Sequence, residues 1–109
     1  MIKIQLARGA AFLACKAEGH ALYGKKGGDI VCSAATFMLR TAAQILESRP
    51  GILFMGEEPQ RGRLAFNAKA DSDSAGLELR FAADFLQKGF DSLSKEFPQN
   101  VLFECKLEE

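Results

Sequence analysis

The sequence predicts an α/β (α+β) fold in which two helices pack on a mixed or antiparallel sheet. Short segments of alternating polar and apolar residues are typical of strands, and two longer segments carry apolar residues at helical spacing. Turn-forming residues separate these segments, which follow one another in the order ββαββαβ. We expect a single domain over residues 1–109, because one core usually takes about 100–150 residues.

Residues 2–7 and 10–17 predict the first two strands. Ile2, Ile4 and Leu6 alternate with polar residues and so share one face. Arg8-Gly9 follows directly, which favours a hairpin between the two strands.

Residues 30–48 show the strongest helical pattern. The predicted apolar stripe consists of Val31, Ala34, Ala35, Met38, Ala42, Ile45 and Leu46. Asp29 is the predicted N-cap, and Pro50-Gly51 ends the helix. Phe37 falls on the polar side. It is either part of a contact surface for a second subunit or substrate, or partly covered by a neighbouring strand.

The second half of the chain predicts a hairpin, a helix and a last strand. Residues 52–58 and 62–70 form the hairpin, and residues 101–107 form the strand. A helix is expected over 75–97, although residues 77–81 also alternate like a strand. Its predicted stripe consists of Ala82, Phe85, Leu86, Leu93 and Phe97.

Charge and cysteine content narrow the function classes. The chain has 14 basic and 14 acidic residues, so it lacks the basic excess of a nonspecific nucleic-acid binder. No apolar run is long enough for a membrane span, and the N-terminus does not resemble a secretory signal. Three cysteines without a CxxC motif argue against a disulfide framework and favour the cytoplasm. We expect no cofactor and no metal site, because the Cys and His residues are scattered.

Cys32 and His20 are the candidate catalytic residues. With Asp29 as the N-cap, Cys32 lies in the first helical turn, where free amides and the helix dipole stabilise a thiolate. His20 lies twelve residues earlier, near the end of the second strand, and could exchange a proton with the thiol. From position alone, a small buried thiol is an equally good interpretation of Cys32, and an exposed loop residue is the more common interpretation of a lone His.

The segment between these residues is rich in glycine. Gly19, Gly24, Gly27 and Gly28 permit either a mobile lid over a peptide or simple tight turns. Asp29 could also orient His20. Cys15 and Cys105 lie inside predicted strands and are interpreted as core or half-buried residues.

Several identities at fixed spacing resemble a known family. "GHA" at 19–21, Gly24, Gly27 and "DIVCSA" at 29–34 are similar to the signature of the ribosomal-processing cysteine protease family Prp. The resemblance extends over the chain through "SRP" at 48–50 and "EFPQNV" at 96–101. The chain departs from the pattern at Ser33, where Ala is more usual, and at Gly28 before Asp29.

The resemblance implies a cysteine endopeptidase that forms a homodimer and carries a flexible loop between its catalytic residues. It implies that Cys32 is the nucleophile and His20 the general base and acid. Asp29, Ser33, Gly19, Gly24 and Gly27 would support them. The implied substrate is the N-terminal extension of large-subunit ribosomal protein twenty-seven. The alternative is a non-catalytic module that associates with the ribosome.

Overall fold

The computed structural model describes residues 1–19, 26–57 and 62–108. It contains five strands and two helices in the predicted order ββαββαβ. The elements are β1 (Ile2–Arg8), β2 (Phe12–Glu18), α1 (Lys26–Glu47), β3 (Ile52–Gly56), β4 (Arg63–Ala70), α2 (Asp73–Glu96) and β5 (Val101–Leu107).

The strands form one mixed sheet in the order β3-β4-β2-β1-β5. β1 pairs antiparallel with β2, and β2 and β3 both pair antiparallel with β4. β5 runs parallel to β1, because α2 carries the chain back across the sheet before β5 begins. β3 and β5 are therefore the two edge strands. The combination of parallel and antiparallel pairs confirms the predicted mixed sheet.

Both helices cover one face of this sheet. The largest fully buried side chains come from both layers and are Phe90, Ile4, Leu6, Leu13, Leu39, Leu46, Leu79, Leu86 and Val31. The opposite face carries polar and charged side chains, including Gln5, Lys16 and Asn67. The fold is thus a two-layer α/β arrangement with a single core between the layers.

The predicted apolar stripes of the helices are partly wrong. Leu39 and Phe90 are completely buried but were outside the predicted stripes, whereas Ile45 and Phe85 are 48% and 52% exposed. Ile45 and Phe85 both line a groove between the helices on the solvent side. Phe37 is 70% exposed, which argues against the second of its two interpretations, partial cover by a neighbouring strand.

The ends of the helices explain how the chain turns. Ser72 caps α2 by accepting a hydrogen bond from the amide of Ala75 at 3.2 Å. Residues 77–81 belong to α2, so their strand-like alternation was misleading. No helix within the described residues is long and apolar enough to cross a bilayer.

Candidate active site

Cys32 lies farther inside α1 than the sequence predicts. The helix begins at Lys26, which makes Asp29 its fourth residue and Cys32 its seventh. Asp29 is therefore not the N-cap, and Cys32 is in the second turn rather than the first. The prediction failed because Gly27 and Gly28 disfavour helix, yet helix propensity is only a weak local preference that the rest of the chain can override.

This position changes what the backbone at Cys32 can do. Only the first four N–H groups of an α-helix are free of an intrahelical acceptor. The amide of Cys32 instead donates to the carbonyl four residues earlier, as in any helix interior. The amide of Cys32 is therefore not free to donate to an oxyanion in this conformation of the helix.

The side chain of Cys32 lies at the edge of the core. It is half-buried and packs against the core cluster. At 100° per residue, Ala43, Arg40 and Glu47 follow Cys32 on the same flank of α1. These three residues, with Gln44, line one wall of a groove whose volume is about 390 Å³.

The other wall of this groove comes from β3 and β4. It includes Phe54, Gly56, Glu57, Leu64 and Phe66, and the rings of Phe54 and Phe66 stack with their centroids 5.5 Å apart. Cys32 precedes Arg40 by eight residues, which corresponds to about 12 Å along the helix axis. The candidate nucleophile is thus on the flank of α1 that lines the groove, toward the N-terminus from the groove itself.

The predicted partner of Cys32 lies outside the described residues. His20 and Gly24 both belong to the range 20–25. Gly19, directly before His20, is described and has a φ of 107°, which favours glycine over other residues. Its amide donates to the carbonyl of Gly62 at 2.9 Å, so the position of the chain just before His20 is fixed.

The remaining supporting residues are distributed along α1. Ser33 is exposed immediately after Cys32, and Gly27 is the second residue of the helix. Neither residue is shown in contact with Cys32. Their predicted supporting roles stay predictions.

The other two cysteines differ in environment. Cys15 is 3% exposed in the core, as predicted, and burial raises the pKa of its thiol to about 12. Cys105 is exposed, which contradicts the predicted core or half-buried position. It is the register partner of Leu6 on the edge strand β5, and it lines an open recess with α2 residues that include Asp84 and Gln87. Within the described ranges, no group of acidic, Cys and His residues could hold a metal ion.

Sequence reasoning missed a charged cluster on the sheet face opposite the helices, of which only Glu57 also lines the groove. Arg63 contacts Glu57 at 3.0 Å and Glu18 at 3.1 Å, and Lys16 contacts Glu18 at 2.9 Å. The hydrogen bond from Lys16 and the charge of Lys16, and then the charge of Arg63, lower the pKa of Glu18. Lys16 and Glu18 alternate on one face of β2, but their proximity to Glu57 and Arg63 depends on strand register, which the sequence did not reveal.

Comparison with known families decides the class of protein. The family model described as cysteine protease Prp matches residues 1–102. The chain belongs to the cysteine protease Prp family. It is therefore a hydrolase that acts on peptide bonds, and the resemblance noted in the sequence is confirmed. A search of curated protein sequences gave no match.

Solved structures of low sequence identity share the fold. SMU.848 from Streptococcus mutans aligns with a TM-score of 0.76 at 19% identity, covering 99% of this chain and 96% of that chain. The ribosomal processing protease Prp from S. aureus, in complex with a substrate peptide, aligns with a TM-score of 0.71 at 17% identity. That alignment covers 97% of this chain and 100% of the S. aureus chain. These likenesses confirm the two-layer arrangement.

Proposed function

We propose that this protease removes the N-terminal extension of large-subunit ribosomal protein twenty-seven in the cytoplasm. The observation that carries the proposal is the family match over residues 1–102. A ribosomal processing protease from S. aureus with the same fold, crystallised with a substrate peptide, supports a ribosomal substrate. The half-buried Cys32, on the helix flank that also lines an open groove, supports an extended peptide as the segment that is cut.

The proposed chemistry uses Cys32 as nucleophile and His20 as general base and acid. The Cys32 thiolate attacks the scissile carbonyl carbon, and the C–N bond breaks as the tetrahedral intermediate collapses to a thioester. His20, protonated on taking the thiol proton, gives that proton to the departing amine. Water then hydrolyses the thioester, which releases the second product and restores the thiol.

The oxyanion requires donors that helix α1 does not offer in its described form. The amide of Cys32 is engaged in the helix, since α1 already begins at Lys26. We propose that the first turn of α1 unwinds when substrate binds and that the freed amides then donate to the oxyanion. Gly27 and Gly28 favour this step, because each costs a helix about 1 kcal/mol relative to Ala.

A cleavage assay on a synthetic peptide tests the proposed substrate. The peptide spans the N-terminal extension and the first residues of the mature ribosomal protein from the organism that encodes this chain. We expect one cut, located by mass spectrometry, that releases the mature N-terminus. A scrambled peptide of the same composition is the control and should stay intact. Equal cleavage of both peptides would contradict the assigned substrate, and cleavage of neither would favour the non-catalytic module.

We also propose that the protein is a homodimer that associates through the exposed apolar face of its helices. Ile45, Phe81 and Phe85 line the groove between α1 and α2, and Phe81 is 76% exposed. Large exposed aromatic side chains gathered in one place are typical of a subunit interface. A second copy is the proposed occupant, as the family resemblance implies, and Arg49 and Glu78, which also line the groove, already pair with each other at 3.9 Å.

A further inference from the structure

β3 carries main-chain groups that face away from the sheet. The amide of Glu57 donates to the carbonyl of Ala65, and the amide of Asp71 donates to that of Gly51. In an antiparallel ladder, residues that bond to the neighbouring strand alternate with residues that do not. The odd-numbered residues of β3 are therefore the ones that bond to β4. The N–H and C=O groups of Phe54 and Gly56 therefore point outward, and no described strand pairs with them.

The two edges of the sheet differ in chemistry. The sequence of β3, ILFMG, contains no charged residue and no proline. β5 carries Glu104 and Lys106, and charged side chains of this kind protect an edge from pairing with another chain. Only β3 of these two edge strands thus lacks the features that prevent the addition of a strand.

The free edge of β3 also lies on the same side of the molecule as Cys32. Phe54 and Gly56 line the groove whose opposite wall holds Arg40, and Cys32 shares that flank of α1. A strand added to β3 would lie about 4.8 Å beyond it, still alongside α1. At about 3.3 Å per residue, three to four residues of an extended peptide span the distance from the level of Arg40 to Cys32.

We propose that the substrate peptide binds as a sixth strand on the free edge of β3. This inference rests on the proposed function and assigns the way in which the substrate is held. The N–H and C=O groups of Phe54 and Gly56 bond to the peptide main chain. Alternate peptide side chains then enter the groove, and the scissile bond follows at Cys32. Main-chain pairing fixes the register, while the groove selects the side chains.

The groove favours a peptide over a second copy of the chain as the occupant. Arg40, Gln44 and Glu47 line its helix wall, and both charged residues are exposed. The core of a stable subunit interface is depleted in charged residues. A wall that combines polar groups with the apolar surface of Phe54 suits the varied side chains of an extended segment.

Residue-resolved hydrogen exchange tests this binding mode. The Cys32→Ala variant, labelled with ¹⁵N, is measured by NMR with and without the synthetic ribosomal-protein peptide. We expect exchange at the amides of Phe54 and Gly56 to slow at least about tenfold on saturation. The inward amides of Leu53 and Met55 should be slow in both samples. Phe103 and Cys105, whose amides face outward on β5, are the matched control and should not change.

The exchange and cleavage results together separate two proposals, the binding of the peptide to the edge of β3 and the proposed protease function. Cleavage by the wild type without slower exchange at Phe54 and Gly56 overturns the edge proposal alone. Slower exchange without cleavage by the wild type contradicts the proposed function but supports the edge. Absence of both binding and cleavage overturns both. Concentration-dependent protection without peptide would show that a second copy occupies β3, which also overturns the proposal.

Discussion

Gly19 and Gly62 are joined by a hydrogen bond of 2.9 Å from the amide of Gly19 to the carbonyl of Gly62. Both residues have positive φ, 107° and 79°. Their bond extends the pairing of β2 with β4 to the last residue before His20. The main chain that leads into His20, the predicted general base, therefore starts from a fixed position beside the β3–β4 hairpin.

Gly19→Ala should destabilise the fold and reduce activity. Its φ is unfavourable for alanine, and a Cβ would overlap the carbonyl oxygen of Met1. We expect a loss of about 1–3 kcal/mol in the free energy of unfolding, measured with urea. Gly76→Ala is the matched control, because its Cβ would meet nothing closer than 3.4 Å. That variant should gain about 0.5–1 kcal/mol in α2. Equal changes in the free energy of unfolding for Gly19→Ala and Gly76→Ala would contradict the claim that the Gly19 position requires glycine.

The double variant Gly27→Ala, Gly28→Ala should separate stability from activity. Alanine stabilises the first turn of α1, so the free energy of unfolding should rise by roughly 0.5–1 kcal/mol per site. If this turn must unwind to free the oxyanion donors, kcat should fall at least about tenfold. Steady-state kinetics and urea denaturation measure the two quantities. A more stable variant with unchanged kcat would show that the Cys32 amide is not an oxyanion donor.

The buried thiol of Cys15 should make stability depend on alkaline pH. Its pKa is raised from 9.0 to about 12 by burial, so the unfolded chain loses this proton at lower pH than the folded chain. The stabilisation is complete below pH 9.0 and is lost as pH rises toward 12. Relative to Cys15→Ala, the wild type should lose about 1.4 kcal/mol per pH unit over this range. A difference in the free energy of unfolding that stays constant with pH would contradict the raised pKa of Cys15.

Substitution on the helix face should dissociate the proposed homodimer. Phe81 and Leu107 are equally exposed, at 76%, but only Phe81 lines the groove between the helices. Phe81→Glu should give a monomer in analytical ultracentrifugation, because it places a charge at the centre of the interface. Leu107→Glu should remain a dimer. Dissociation by Leu107→Glu alone would place the interface at β5.

The strands were predictable because alternation along a strand directly reports its two faces. Leu64, Phe66, Ala68 and Ala70 share the helix-facing side of β4, as their spacing indicated. The helix faces were less predictable. Ile45 and Phe85 are apolar, and hydrophobicity does not distinguish a residue in the core from one at a groove between two helices.

The candidate site was predictable in its residues but not in its surroundings. Cys32 could be named from the sequence pattern, and the family match supports the class of chemistry. The groove could not be predicted, because its walls, which include Arg40 on α1 and Phe54 on β3, come together only when the helix packs on the sheet. The helical spacing of Cys32, Arg40 and Ala43 was the one available signal for its helix wall.

Comparison of the three cysteines tests the central claim most directly. Cys32→Ala, Cys15→Ala and Cys105→Ala are each assayed for kcat/KM on the synthetic ribosomal-protein peptide. We predict that Cys32→Ala loses at least about 10³-fold, because the nucleophile is gone. Cys105→Ala, which removes an exposed thiol on β5, and Cys15→Ala, assayed where it is folded, should stay within about threefold of the wild type. Cleavage by Cys32→Ala at the wild-type rate would contradict the assignment of Cys32 as the nucleophile.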